Sequence, residues 1–369
     1  MNKFTPPPHQ QCADAQLVAK QRSSNLELYR IIVMLMIVAH HYVVNSGLVQ
    51  DDVLRIDDWS ARSVFFWLFG MWGKTGINCF VMITGYFMCL SQITVRKFLK
   101  LVLQVMFYDF VIYGAFLACG YEGASLKGWM LHLLPVKSVT DYFTSCFLLF
   151  WLTIPFLNIA VKNMTHRQHL SLIALLLFTY AVMEYMPQST VRMNYVSWFV
   201  TLYFIASYLR LYPEHVWRAN SARPWGWLSL AVILPAVGSV LATLYIDHTM
   251  GKNRFPYWLV SDSNAVLALA VGVSTFMFFK NLRIPQSRVI NAIAATTFGV
   301  LLIHANSDMM RQWLWRDTVD CVGHFADTHY YIYAPLAVLA IFAACSLIDY
   351  VRIRTVERWT FRFIDKHLQ

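Results

Sequence analysis

Residues 25–44 read Asn-Leu-Glu-Leu-Tyr-Arg-Ile-Ile-Val-Met-Leu-Met-Ile-Val-Ala-His-His-Tyr-Val-Val, and this stretch decides the fold. At about 1.5 Å per residue, a helix over these residues is long enough to cross a hydrocarbon core of about 30 Å. The stretch nevertheless contains four ionisable side chains, those of Glu27, Arg30, His40 and His41. Because an ionisable group at membrane depth is costly unless it faces a cavity or a partner, we expect this part of the helix to face the protein interior.

Two of these residues, Arg30 and His41, are predicted to share one face of the helix. Their eleven-residue separation is close to three turns at about 3.6 residues per turn, which places them about 16 Å apart. His40 points about 80° away from that face. A neutral imidazole with an ordinary pKa of about 6.5 suits a general base, whereas a guanidinium stays charged. The alternative is structural, with Arg30 reaching a lipid headgroup and His41 bonding a neighbouring helix.

The composition excludes an ordinary soluble domain. Apolar residues make up 58% of the chain, and the mean hydropathy is +0.47. The apolar runs are continuous and about 20 residues long, which excludes the alternating pattern of a membrane β-barrel. The net charge of +10 does not indicate nucleic-acid binding, because the basic residues lie at the ends of apolar runs. We therefore predict an all-α polytopic membrane protein.

The apolar segments and their flanking charges predict a topology. We count ten segments, at residues 26–44, 62–90, 98–118, 142–161, 169–186, 195–212, 225–246, 262–280, 293–314 and 330–352. With the N-terminus inside, the inner flanks hold 19 of the 30 Lys and Arg residues and the outer flanks hold 9. This bias predicts that both termini are cytoplasmic. The predicted organisation is a flexible cytoplasmic tail at 1–25, a transmembrane domain at 26–352 and a short basic cytoplasmic tail at 353–369.

The second segment is interrupted by polar and small residues. Its 29 positions include Gly70, Gly73, Lys74 and Gly76, so we expect two half-helices or a kink. Such irregular backbone is tolerated at membrane depth where it lines a protein cavity. Lys74 and Asn78 are four residues apart and are candidates to line a pore, although a satisfied structural pair is an equal alternative.

Two further clusters stand out. Arg96, Lys97 and Lys100 enter the third segment, where topology alone would also place basic residues. In the ninth segment, His304 and Asp308 are four residues apart and are predicted to share a helix face. A His-Asp pair can orient an imidazole for acid-base chemistry, but such pairs also stabilise helix ends.

The remaining polar and aromatic residues carry weaker signals. The seven cysteines show no zinc-ligand spacing, and we predict no metal site. Cys119 and Cys321 fall in predicted outer loops, where a disulfide is an open alternative. Trp198 and Trp258 are predicted to lie at the membrane interface.

Three segments resemble those of membrane-bound acyltransferase family 3, which O-acylates cell-surface sugars. The first segment carries Arg30, ten residues and then His41, which is similar to the family's Arg-x10-His signature. Residues 76–87 resemble its second-helix segment, and residues 299–304 resemble its Gly-Val-x-Leu-Ile-His segment. The family's Arg-x-x-Arg motif has its nearest match in Lys97-x-x-Lys100, which keeps the charge but loses the guanidinium fork.

The resemblance implies a function and roles for these residues. The donor would be cytoplasmic acetyl-CoA or another acyl-CoA, and no cofactor would be bound permanently. The acceptor would be a hydroxyl of a surface glycan or its lipid-linked precursor at a bacterial inner membrane, with enzymes of polysaccharide assembly as partners. His41 would be the catalytic base, and Arg30 would hold donor phosphate or order the pore. The donor-binding residues would be Arg96, Lys97 and Lys100, and the candidates for pore or acceptor contact are Lys74, Asn78, His304 and Asp308. Independently of the resemblance, Asp109, Glu184 and Arg192 lie within or near apolar segments and are further candidates for acceptor contact.

The residues leave several alternatives open. An acyl-histidine intermediate is compatible with the residues, and His40 is adjacent and would be able to replace His41 if the helix rotated. A secondary transporter would also have ten helices, buried charges and a broken helix, although we see no inverted repeat. A membrane sensor that keeps the acyltransferase fold without catalysis is the third interpretation.

Overall fold

The first long helix, α1, is the element against which much of the bundle packs. A computed structural model describes residues 23–136, 143–186, 189–260 and 262–367, and the described residues form helices and no strands. The predicted tail at 1–25 lies outside these residues except for its last three, of which Ser24 and Asn25 begin α1. Six helices pack on α1 (Ser24–Val44), and they are Ala61–Gly70, Gly73–Met88, Val266–Asn281, Arg288–Ala294, Thr297–His304 and Tyr330–Arg352.

The helices of the described residues are, in chain order, α1 (Ser24–Val44), α2 (Ala61–Gly70), α3 (Gly73–Met88), α4 (Val95–Ala118), α5 (Leu126–Leu133), α6 (Phe143–Asn163), α7 (His166–Leu177), α8 (Tyr195–Leu211), α9 (Ala222–Met250), α10 (Val266–Asn281), α11 (Arg288–Ala294), α12 (Thr297–His304), α13 (Asp308–Arg311), α14 (Tyr330–Arg352) and α15 (Arg358–His367). Wider π-helical turns extend three of them, at Phe178–Val182, Gln312–Thr318 and Ile353–Glu357. Through the last of these turns, α14 continues into α15, so most of the predicted tail at 353–369 is helical.

The membrane-spanning helices agree with the predicted class. Among the described residues, six helices are long and apolar enough to cross a membrane, or seven if one bent pair counts as a single span. Segments 195–212 and 262–280 form helices of 17 and 16 residues, and segment 62–90 forms two shorter helices. The count of ten spans and the cytoplasmic placement of both termini stay predictions.

The predicted interruption of the second segment is confirmed as a break between α2 and α3. Glycines flank the break because α1 approaches it closely. A Cβ on Gly73 would lie 2.2 Å from Cγ of His40, and one on Gly70 would lie 2.7 Å from Cβ of Val43. The absence of side chains at these two positions therefore allows α1 to pack against the break.

The ninth segment is not the single helix that was predicted. Residues Arg288–His304 and Asp308–Thr318 meet at an angle of 96°. Ser307 caps the second part by accepting a hydrogen bond from the backbone of Met310. The expectation that His304 and Asp308 share a helix face is therefore wrong, because the chain turns between them.

The structure also decides the open Cys119–Cys321 alternative and corrects the expectation for Trp198. Cys119 is exposed and Cys321 is buried, and both are free thiols, so the considered disulfide is absent. Trp198 is fully buried in the bundle and therefore does not face the lipid interface, whereas Trp258 is exposed and its interfacial position stays a prediction.

A buried ion pair links α14 to α4 and α12. The carboxylate of Asp349 is inaccessible and accepts a hydrogen bond of 2.7 Å from Nε of Arg352, which is also buried. Gln104 and Tyr108 of α4 donate to the same carboxylate oxygen at 3.3 and 2.7 Å. Gly299 of α12 makes room for this group, because a Cβ there would lie 2.1 Å from Cγ of Asp349. Removal of the carboxylate would leave a buried guanidinium and two donors with fewer partners.

We expect Asp349→Ala to lower the free energy of unfolding by at least about 3 kcal/mol, because breaking a buried pair leaves its partner desolvated. Asp365→Ala is the matched control, since Asp365 pairs with Arg96 at the surface and should cost no more than about 1 kcal/mol. Thermal and denaturant unfolding in detergent would measure both. Equal losses in the two variants would contradict the assigned role of the buried pair.

Candidate active site

The centre of the site is a contact between two histidines from separate helices. Nδ1 of His41, in the last turn of α1, lies 2.9 Å from Nε2 of His304, the last residue of α12. The two residues are 263 positions apart in sequence. His304 is fully buried, whereas His41 is half-buried. The fold therefore brings together two residues that the sequence marked independently.

The hydrogen-bond partners assign the protons of both rings. The carbonyl oxygen of Val300 can only accept, so Nδ1 of His304, 2.6 Å away, carries a proton. In the neutral ring, Nε2 of His304 is then an acceptor, and Nδ1 of His41 donates to it. The lone pair of a neutral His41 ring is therefore on Nε2. This is the arrangement in which a histidine is oriented to accept a proton on its other nitrogen.

The bend after α12 explains why His304 reaches α1. The helix ends at His304, and the chain then turns into α13 and the π-helical turn Gln312–Thr318. Trp315 of that turn is fully buried, and its ring meets His304 edge-on at a centroid distance of 6.3 Å. Trp315 also packs edge-on against Tyr42, the neighbour of His41 in sequence. The aromatic contacts hold the histidine pair from the side of the bend.

Two cations surround the histidine pair. Lys74 lies within electrostatic range of His40 and His41, and Arg311 lies within range of His41 and His304. Nζ of Lys74 donates to the hydroxyl of Tyr195 at 2.6 Å, and the ammonium lies 5.3 Å from the centroid of that ring. These positive charges would favour a developing negative charge beside His41. Tyr195 had no signal in the sequence, because its contact with Lys74 spans 121 positions.

His40 has a different environment from its neighbour. Its Nδ1 donates to the carbonyl of Gly70 at 2.6 Å, because that oxygen can only accept. Its ring packs against Gly73 on the other side of the break, and lies 6.2 Å from the ring of Tyr257. His40 thus ties α1 to the broken segment. To replace His41, it would have to give up these contacts.

Arg30 lies nearer the other end of α1. Its Nη1 forms a hydrogen-bonded salt bridge of 2.9 Å with Glu27, one turn earlier, and Glu27 is buried. The structure does not bring Arg30 into the histidine pair, in agreement with their separation along the helix. The position of Arg30 therefore does not favour a direct contact with a group that reacts at His41.

The predicted basic cluster meets the C-terminal helix. Arg96 forms an ion pair with Asp365 and Lys100 forms one with Glu357, while Lys97 donates to the side chain of Ser91 at 2.8 Å. The cleft between α4 and α15 has a volume of about 420 Å³ and is lined mainly by charged side chains, namely Arg96, Lys97, Lys100, Glu357, Arg358, Arg362 and Asp365. The sequence placed Arg358 and Arg362 in a separate tail and did not indicate this contact.

Two predicted site residues, Asp308 and Asn78, bond partners outside the histidine pair. The carboxylate of Asp308 is 84% exposed and forms an ion pair of 2.9 Å with Arg311. Asn78 is fully buried, donates to the carbonyl of Ser263 at 2.6 Å and accepts from the indole of Trp198 at 2.8 Å. Asn78 thus connects helices, whereas Lys74 bonds Tyr195.

The three additional polar candidates are also engaged. Asp109 is buried and accepts a hydrogen bond of 2.9 Å from Asn306, in the bend after α12. Glu184 accepts from the side chain of Asn264 at 2.5 Å. Arg192 is exposed and donates to backbone carbonyls of its own loop. Of the three, Asp109 is the one that bonds to the bend after His304.

A bound metal ion needs several ligand side chains grouped around it. Within the described residues, no group of three or more His, Cys, Asp or Glu side chains has a metal-binding arrangement.

The helices, their apolar lengths and the buried ionisable residues define the class as a polytopic helical membrane protein. The family model of acyltransferase family 3, an acyltransferase domain, matches residues 23–350, which is nearly the whole chain. The chain therefore belongs to acyltransferase family 3 and is a membrane acyltransferase. Searches of curated proteins and of solved structures returned no match.

The histidine contact predicts a graded effect of substitutions at His304. His304→Phe removes the acceptor that orients His41, so we expect acyl transfer to slow by about 100-fold, the lower end of the contribution of a general base. His304→Gln keeps an acceptor and should retain more activity. Initial rates with a labelled acyl donor would measure kcat and KM for both variants, with thermal unfolding as a check on folding. Equal losses of kcat in the two variants would contradict the orienting role.

Proposed function

We propose that this protein transfers an acetyl or other acyl group from cytoplasmic acyl-CoA to a hydroxyl of a cell-surface glycan or its lipid-linked precursor. The observation that carries the proposal is the His41–His304 hydrogen bond, which leaves Nε2 of a neutral His41 free to accept a proton. The proposed location is the inner membrane of a bacterium, with both termini in the cytoplasm. Acyl-CoA is a substrate in this scheme, and no permanently bound cofactor is invoked.

In the proposed reaction His41 acts as general base and then as general acid. Its Nε2 accepts the proton of the acceptor hydroxyl as the oxygen attacks the thioester carbonyl. The tetrahedral intermediate carries a negative oxygen, for which Lys74 and Arg311 supply positive charge. The carbon–sulfur bond then breaks, and His41 returns the proton to the CoA sulfur. Throughout, Nδ1 of His41 stays bonded to His304, which keeps the ring in place.

The CoA phosphates are proposed to bind in the cleft between α4 and α15. Arg96, Lys97 and Lys100 face two further arginines there, Arg358 and Arg362. Only two carboxylates, Glu357 and Asp365, line the same cleft, so positive charge is in excess. A phosphate group entering it would compete with these carboxylates for Arg96 and Lys100. Arg30, nearer the Ser24 end of α1, is proposed to attract the donor as it moves towards His41.

The acceptor would approach His41 from the opposite end of the bundle. His41 lies about 22 Å from Leu26 along α1, which in the proposed topology is the outer half of an approximately 30 Å core. Lys74, Tyr195 and His304 are the proposed contacts of the acceptor. Enzymes of polysaccharide assembly are proposed partners, because they would supply the glycan or its lipid-linked precursor.

The test of the base uses purified protein in nanodiscs with acetyl-CoA labelled in the acetyl group. We expect His41→Ala to lower transfer to membrane glycolipids, or thioester hydrolysis, by at least about 100-fold. The matched control is His40→Ala, which should lower thermal stability more than chemistry because His40 bonds the backbone of Gly70. Full activity of His41→Ala would overturn the proposal. Uptake of an unchanged solute into proteoliposomes without release of CoA would instead indicate a transporter.

The donor site is tested with variants that remove either a cation or a carboxylate from the cleft. Lys100→Gln and Arg96→Gln should raise the KM for acetyl-CoA by roughly tenfold, with little change in kcat, because each removes a partner of the phosphates. Asp365→Asn should lower that KM, since it frees Arg96. Arg288→Gln is the control, as Arg288 is an exposed cation at the start of α11, outside the cleft. An unchanged KM in all the cleft variants would exclude this cleft as the phosphate site.

A further inference from the structure

A second, apolar groove lies between α9 and α10. Its volume is about 500 Å³, and nearly all of its lining is apolar. One face of α9 forms one wall, from Arg223 through Gly226 and Leu230 to Ile233, and Phe278 of α10 lines the other. The absence of a side chain at Gly226 keeps the groove open, because a Cβ there would lie 3.2 Å from the Phe278 ring. Leu230 is half exposed, so the groove opens on the outside of the bundle.

One end of the groove is cationic. Arg223, in the first turn of α9, is exposed and forms no hydrogen bond or ion pair with the other described residues. Trp227, one turn further, also lines the groove and is 64% exposed. Arg and Trp side chains together are typical of the headgroup level of a bilayer. The groove thus has a charged end at the interface and an apolar course beyond it, which fits an anionic amphiphile.

The length and position of the groove match one leaflet. Ile233 follows Arg223 by ten residues of helix, a distance of about 15 Å, which is half of an approximately 30 Å hydrocarbon core. The charged end lies at the Ser24 end of α1, because Asn25 donates to the carbonyls of Phe279 and Lys280 at 2.9 and 2.7 Å. Phe279 itself lines the groove. An occupant would therefore lie in the leaflet opposite to the histidine pair.

The floor of the groove contacts α1 directly. The hydroxyl of Thr275 lies 2.6 Å from that of Tyr29, and the ring of Phe279 stacks on Tyr29 at 4.6 Å. Both Thr275 and Phe279 line the groove, and Tyr29 precedes Arg30 in α1. A chain in the groove would thus pack on the residues that support this part of α1. Its binding should stabilise the fold.

We propose that this groove binds an anionic phospholipid, with one acyl chain between α9 and α10 and the headgroup phosphate on Arg223. A lipid that contacts an ordinary helix surface exchanges freely, whereas this one would be enclosed on two sides and held by a charge. The ligand is a structural lipid of the leaflet at the Ser24 end. It differs in position and chemistry from the acceptor, which is expected near His41.

The test compares phosphatidylglycerol with phosphatidylcholine on delipidated protein in detergent. Lipid titrations followed by thermal unfolding should show tighter binding of phosphatidylglycerol. Arg223→Gln should weaken that binding by roughly fivefold and remove the preference for the anionic lipid, as expected for loss of one interfacial cation. The control is Arg288→Gln, an exposed arginine in the first turn of α11 at the same end of the bundle. This variant should behave as the wild type.

A second pair of variants tests the groove itself. Gly226→Leu should fill it and reduce the number of lipids retained in native mass spectrometry. Gly238→Leu, on the same helix but with open space at its Cβ, should not. Unchanged phosphatidylglycerol preference in Arg223→Gln, or unchanged retention in a folded Gly226→Leu, would overturn the proposal. These readouts do not depend on acyl transfer, so they stand apart from the proposed function. Binding of a lipid-linked sugar but not of phosphatidylglycerol would also overturn it.

Discussion

The constraint on which the structure depends is the cost of placing ionisable groups in a membrane-spanning helix. Helix α1 carries Glu27, Arg30, His40 and His41, and none of these side chains can face lipid without a large penalty. The fold meets this constraint by surrounding α1 with α2, α3, α10, α11, α12 and α14. Each ionisable group then finds a partner from the protein, either within α1, as in the Glu27–Arg30 pair, or from another helix. A helix with four ionisable side chains is therefore a central one.

The interruptions of the neighbouring helices follow from the same packing. The break between α2 and α3 receives the His40 ring, and the carbonyl of Gly70 near that break is its acceptor. The bend after α12 ends a helix at His304, so that its imidazole meets His41 rather than continuing along an apolar face. In both places irregular backbone is found where it contacts protein and binds a polar group from α1, which is the condition for such backbone at membrane depth.

The C-terminal helix changes the interpretation of the basic cluster. Positive charges at the start of α4 are expected from topology, and alone they would say little about function. The structure places Arg358 and Arg362 opposite them. Two carboxylates in the same cleft form ion pairs with Arg96 and Lys100. A cleft with competing internal anions is suited to an exchangeable phosphate ligand, because the cations stay ordered before the ligand binds. The two proposed ligand sites, this cleft and the lipid groove, lie on different helices.

The sequence by itself determined the class and the broken second segment, and it marked Arg30, His41 and His304 as candidate site residues, because charge inside apolar runs and the spacing of motif residues are local properties. It did not determine the 96° bend, the separation of Asp308 from His304, the burial of Trp198 or the contact of Lys74 with Tyr195. These features depend on which helices become neighbours, and that choice is made by packing between residues far apart in the chain. The proton assignment of His41 is of the same kind, since it follows from a hydrogen bond that spans 263 positions.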